Sequence, residues 1–187
     1  KQWIVSEAEK SVNGLRGIRF VGSHPMAGSE QTGVEFARED LLDRSPCIVT
    51  KTPRTDLKAL NKIVKFWTAL GAKAKVMSPE EHDRSVAFIS HLPHLAAYSL
   101  AGAVPERDLA YAAEGFKDTT RVASSDPALW ADIFLTNKKE LIKASKAFEG
   151  YYKKVIKVLS KGDRSGVMKA LQAAKAKRDK CAYGKVA

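Results

Sequence analysis

At 187 residues the chain is long enough for one sizeable domain or two small ones. Its 44% apolar and 28% charged residues are ordinary globular values and exclude a disordered or fibrous chain. The net charge of +11 is confined to residues 138–187, where 15 Lys/Arg face 4 Asp/Glu, and residues 1–137 carry 17 of each. That segment is rich in Lys and poor in aromatics, so it reads as solvated helix faces, and nucleic acid is not an expected partner.

Residues 1–16 read as a helix leading into a buried strand, Gly17 to Gly22 (GIRFVG), with a second strand over Cys47 to Thr50. Thr55 is the expected N-cap of a helix with Leu57, Leu60, Ile63 or Val64, Trp67 and Leu70 on its apolar face. Gly71 sits at its C-terminus. Ala74 to Met77 resumes an extended run, completing a strand–helix–strand unit of a parallel α/β sheet. From residue 78 the strands stop. Ser78-Pro79-Glu80-Glu81 is a capping box that opens a helix expected to run to Ala101, bent by Pro93. Asp126-Pro127 opens another. Leu141, Phe148, Tyr152, Val155 and Leu159 then form one stripe on a long Lys-rich helix, and Val167 to Lys180 follows as a weaker helix. The fold expected is the end of a Rossmann-type α/β sheet (residues 1–78) followed by an all-α domain (79–187), mainly helical overall.

No run approaches the ~20 apolar residues of a membrane helix. Lys1 to Lys10 lacks the apolar core of a secretory signal, and Lys1, not being Met, is not expected to be the biological start. Two cysteines, Cys47 and Cys181, cannot staple a fold of this size, so a reducing, cytoplasmic setting is expected.

The chemistry-bearing residues fall in three runs. His24 lies in Gly22-Ser23-His24-Pro25-Met26-Ala27-Gly28-Ser29-Glu30, directly after the first predicted strand. Strand ends of open α/β sheets border ligand crevices, so His24 is either a crevice residue or a loop histidine without a role. His91 and His94, three apart on one helix, share a face. The H-E-x-x-H spacing is absent and no cysteine or third histidine lies nearby, so a ligand crevice is preferred over a metal site. His82, one turn into its helix, reads as a surface residue. Gly115 to Arg121 carries Asp118 and Arg121, which suit either a structural ion pair or a carboxylate-binding site.

Taken together, FVGSHPMAGSE (Phe20 to Glu30), SPEEHD followed by SHLPH (Ser90 to His94), and GFKDTTRVASSDPALW (Gly115 to Trp130) resemble the signatures of the prephenate/arogenate dehydrogenase family, in order and at similar spacing. The resemblance is close over residues 17–137 and extends to 138–187 in general character. It implies an NAD- or NADP-dependent oxidative decarboxylation of a small dicarboxylate on the tyrosine pathway, and a homodimer formed through the helical domain. His24 would be the catalytic histidine. Ser29, Glu30, His94, Asp118, Arg121 and Trp130 would be substrate-binding, and Ser23 and Pro25 would edge the nicotinamide pocket; no metal is implied. The family's glycine-rich cofactor loop would lie before Lys1, so this chain is expected to be the C-terminal portion of the enzyme and inactive alone. A rival of another class is a non-enzymatic helical module binding acidic partners through its basic face. It accounts for residues 138–187 but not for HPMAG or SHLPH.

Overall fold

A computed structural model describes residues 1–28 and 33–181. These residues form two compact units, Lys1–Leu141 and the remainder from Ile142. The first unit begins with α1 (Gln2–Val12) and holds a three-stranded sheet of β1 (Ser23–Pro25), β2 (Pro46–Thr50) and β3 (Lys73–Met77) in the order β1-β2-β3. β2 and β3 are parallel, with Ile48 opposite Lys75, and α2 (Leu57–Ala69) makes the crossover between them. β1 runs antiparallel to β2, which places His24 opposite Ile48. Four of the five residues of β2 are buried, and Cys47, Val49, Leu60 and Ala72 form a core flanked by Val21, Ile63, Val64 and Trp67. This is the continuous burial of a strand covered on both faces.

The expected strand–helix–strand unit is present, with two local corrections. Asp56, not Thr55, caps α2 by accepting from Ala59 N at 2.8 Å, while Thr55 Oγ1 accepts from Thr52 N in the preceding turn. Residues 17–22 are not a strand. The antiparallel register sets Gly22 opposite Thr50, the last residue of β2, so residues 17–21 run past the end of the strand they would pair with. Gly22 itself is squeezed. A Cβ there would lie 2.5 Å from Thr50 Oγ1 and 2.9 Å from Val5 Cγ2, while its carbonyl accepts from Thr50 N at 2.8 Å. Only a residue without a side chain lets α1 and β2 close on the chain two positions before His24.

The capping box at Ser78 forms as expected, with Glu81 N donating to Ser78 Oγ and Ser78 N to Glu81 Oε2. It opens α3 (Pro79–Val86), which passes through a π-helical turn over Ala87–His91 into α4 (Leu92–Ala103). The irregularity expected at Pro93 therefore precedes it as the π turn, where Leu92 N reaches back to Ala87 O. Pro93 has no N–H for Ile89 O and its ring crowds that carbonyl, so the ladder shifts register just before it. α5 (Glu114–Thr120), a 3₁₀ turn from Arg121 to Ser124, and α6 (Pro127–Thr136), capped by Asp126, follow. α7 (Lys138–Leu159) is one continuous helix, and the second unit ends with α8 (Arg164–Arg178), capped by Asp163. Among the described residues no helix is long and apolar enough to cross a membrane.

Candidate functional site

The first unit holds a cavity of about 370 Å³. One wall is His24 and the backbone-rich run Pro25 to Gly28, which leaves β1. Ser90 and His94 enter from the π turn and α4, Arg121 and Val122 from the end of α5, and Ser125, Asp126, Leu129 and Trp130 from the start of α6. Three stretches of sequence, around residues 24–28, 90–94 and 121–130, thus deliver their side chains to one space. Of the residues singled out from sequence, His24, Pro25, His94, Arg121 and Trp130 line it. Asp118 does not; it is exposed on α5. Ser23 does not either, and its carbonyl accepts from Lys1 Nζ at 2.7 Å. Ser29 and Glu30 lie outside the described residues.

Each ring in the cavity is held. Buried Trp130 stacks on His94 with centroids 3.5 Å apart and planes 20° from parallel, and His94 Nδ1 donates to Ser90 O at 2.8 Å. That bond leaves Nε2 of a neutral His94 as an acceptor. Burial and the nearby Arg121 charge lower the His94 pKa, outweighing the Ser90 contact. His91 meets the Trp130 indole edge-to-face with centroids 6.3 Å apart and accepts at Nδ1 from Asn137 Nδ2 at 3.2 Å. It lines a second cavity of about 410 Å³ that His24 also borders, so the two histidines of SHLPH serve different spaces.

His82 is not the surface residue expected from sequence. It is 4% exposed, and its Nε2 lies 2.7 Å from His24 Nδ1 while its Nδ1 lies 2.8 Å from Asp83 Oδ1. The legible signal was phase. The buried residues of α3 are Pro79, His82, Asp83 and Val86, the i, i+3, i+4, i+7 stripe that an amphipathic helix normally fills with apolar side chains. A His-Asp pair in those positions marks a polar cluster that the fold has chosen to bury. Burial, with the neighbouring His82 and Lys1, drives the His24 pKa down to about 4, and burial with His82 takes His91 to about 4. Burial opposes ionisation of Asp83, but hydrogen bonds from His82 and from the backbone nitrogens of Lys1 and Gln2 outweigh it and bring the pKa to about 2. At neutral pH the arrangement is therefore neutral histidines against one carboxylate. Among the described residues no three His, Cys, Asp or Glu side chains are grouped to hold a metal ion.

A sheet end carrying a neutral histidine shares one cavity with an arginine and an aromatic stack from helices, the arrangement of a polar ligand crevice built from an α/β segment and a helical segment. The model of the prephenate dehydrogenase nucleotide-binding domain matches residues 1–76, and that of the prephenate dehydrogenase dimerization domain matches residues 78–173. The chain belongs to the prephenate dehydrogenase family. It is 39% identical over 148 residues to the prephenate dehydrogenase of Bacillus subtilis (strain 168), covering 76% of this chain and 39% of that protein. It is 36% identical over 151 residues to the cyclohexadienyl dehydrogenase of Zymomonas mobilis, covering 77% and 52%. A solved structure of the Aquifex aeolicus prephenate dehydrogenase with hydroxyphenyl propionate and NAD+ is similar at TM-score 0.85 and 36% identity, covering 96% of this chain and 63% of that one. The Synechocystis arogenate dehydrogenase gives 0.82 at 28% identity, covering 97% and 66%. The chain spans about two fifths to half the length of these two curated relatives.

Proposed function

We propose that the protein containing these residues oxidises and decarboxylates prephenate or arogenate with NAD or NADP, working as a homodimer in the cytoplasm. Residues 1–78 would form the closing part of the nucleotide-binding domain, and 79–187 the helical substrate-binding and dimerisation domain. The observation that carries this reading is that neutral His24, Arg121 and the stacked His94 and Trp130 line one cavity. A cyclohexadienol with carboxylates asks for such a set: an acceptor for the ring hydroxyl, a fixed cation for a carboxylate and a flat surface for the ring.

In this mechanism His24 accepts the hydrogen bond of the ring hydroxyl and takes its proton as the C–O bond gains double-bond character. Arg121 holds a carboxylate and His94 adds a polar contact, while Ser29 and Glu30 are kept as substrate-binding residues on the family resemblance alone. The departing carboxylate leaves as carbon dioxide and its bonding electrons aromatise the ring. Bound NAD(P) supplies the hydride acceptor. Its nicotinamide end would lie along the run Pro25 to Gly28, which lines the same cavity as His24. Because aromatisation drives the reaction, the chain's own work is orientation and charge balance. The test is reduction of NAD or NADP by a purified enzyme containing this chain, with prephenate and with arogenate, alongside carbon dioxide release. Turnover of either substrate supports the reading, and turnover of neither overturns it.

A further inference from the structure

We infer that Asp83, acting through His82, dictates which nitrogen of His24 carries a proton, so that Nε2 is the lone-pair acceptor in the resting protein. His82 and Asp83 are positioning residues in this inference. The tautomer is a property of the resting chain; only its use as a base rests on the proposed function.

The argument starts at the end of the chain of contacts. An ionised carboxylate accepts and never donates, so the 2.8 Å contact between Asp83 Oδ1 and His82 Nδ1 requires a proton on Nδ1. His82 is buried, and burial lowers its pKa against the pull of Asp83, so the ring is neutral and its Nε2 is bare. The 2.7 Å contact from that bare nitrogen to His24 Nδ1 then requires the proton to sit on His24 Nδ1. His24 has one ring proton to place, and Nε2 is left with the lone pair. The opposite arrangement, with His82 donating to His24, would set a bare Nδ1 against a carboxylate at 2.8 Å or demand a second proton on a buried ring.

Asp83 is anchored from elsewhere. Its carboxylate accepts from Gln2 N on α1 at 3.0 Å, and its carbonyl accepts from Asn137 Nδ2 at 2.8 Å. Rotating the anion away would break its contacts with both Gln2 and His82. When His24 Nε2 takes a proton, none is released. The imidazolium Nδ1–H donates to His82, whose Nδ1–H donates to the anion, so the new charge is met by a negative end two rings away. Among the described residues, Lys1 just before α1 and His91 in the π turn oppose that charge, which makes the Asp83 end necessary.

The chain has only four histidines, so ring-¹⁵N NMR of the histidine-labelled protein resolves them all. At pH 7 the wild-type spectrum should show His24 protonated at Nδ1 and pyridine-like at Nε2. His82→Leu removes the acceptor and should give a mixture of the two His24 tautomers. His82→Gln restores an acceptor and should return His24 to one form. In an enzyme containing this chain, His82→Leu should lower kcat about 10–100-fold with KM unchanged, and His82→Gln should recover part of it. A wild-type His24 protonated at Nε2 overturns the inference without any variant, as does a His24 tautomer indifferent to His82→Leu. Failure of the proposed function would appear separately, as a wild-type enzyme that turns over neither substrate while the tautomers behave as stated.

Discussion

A histidine whose pKa has fallen to about 4 is a neutral acceptor throughout the physiological range, and it is a destabilising proton site in acid. In the first role, His24→Asn keeps a polar group but loses the basic nitrogen. An enzyme containing this chain should lose roughly 10²–10⁴-fold in kcat, with substrate affinity largely kept. Arg121→Ala should act on binding, raising KM about 10²-fold for a lost charge-assisted contact of ~1.5–3 kcal/mol. Steady-state kinetics separates the two, and a shared pattern would contradict the division of roles. In the second role the sign follows from proton counting. His24 and His91 have folded-state pKa values of about 4 against 6.5 for the free side chain. Between those values the unfolded chain binds protons that the folded chain refuses, so stability falls as pH drops from 6.5 towards 4. Asp83, lowered from 3.8 to about 2, contributes stability above 3.8 that is lost only as pH falls further towards 2. Thermal melts should show Tm declining across the upper window, with a shallower slope for His91→Gln. An unchanged slope in that variant would remove His91 from the account.

Elements set by local chemistry were legible in the sequence, and those set by distant neighbours were not. The Ser78 capping box, the Asp126-Pro127 start and the α2 crossover each depend on residues within a few positions of one another. The supposed strand over residues 17–22 failed because its length is decided by where β2 ends, 28 positions beyond Gly22. His94 and Arg121 were legible as candidates for a crevice or a carboxylate site and Trp130 came from the resemblance, but their meeting in one cavity depends on helix packing that no spacing reveals. The phase of α3 marked His82 for burial, but its partners, here His24 on β1, lie far away in sequence and no local pattern names them. Gly22 tests this view at the level of an element. Gly22→Ala pushes a methyl group into Thr50, which is 1% exposed, and into Val5 on α1. Overpacking of this kind costs about 1–3 kcal/mol, at about 2–4 °C of Tm per kcal/mol for a chain of this size. The same change should displace His24, so the ring-nitrogen signals should shift with it. A melt and a spectrum both matching wild type would mean that the contact at Gly22 is readily relieved.

At the scale of the whole molecule, apolar surface decides the state of assembly. Along α7, Phe148 and Tyr152 stack at 6.4 Å and yet are 48% and 58% exposed, and Leu159 is 58% exposed. The intervening faces carry Lys143, Lys146, Lys153, Lys154 and Lys157, one of them paired at 2.6 Å with Glu149. Burying each large side chain contributes about 1.5–3 kcal/mol. Association costs an estimated 4–15 kcal/mol, so three residues barely break even and a stable interface needs more apolar area. Ile156 on the same helix, and Met168 and Leu171 beside an apolar groove on α8, are exposed and supply it. A two-fold interface would bury each of these residues twice, doubling the gain against a single association cost, while the lysines stay on the solvated faces. The chain should therefore sediment as a dimer at micromolar concentration, and Phe148→Asp, which buries a charge at the same place in both copies, should dissociate it. Sedimentation equilibrium decides the matter: a wild-type mass near 20.5 kDa, the value of one chain, would show that the stripe stays uncovered and that the homodimer is wrong.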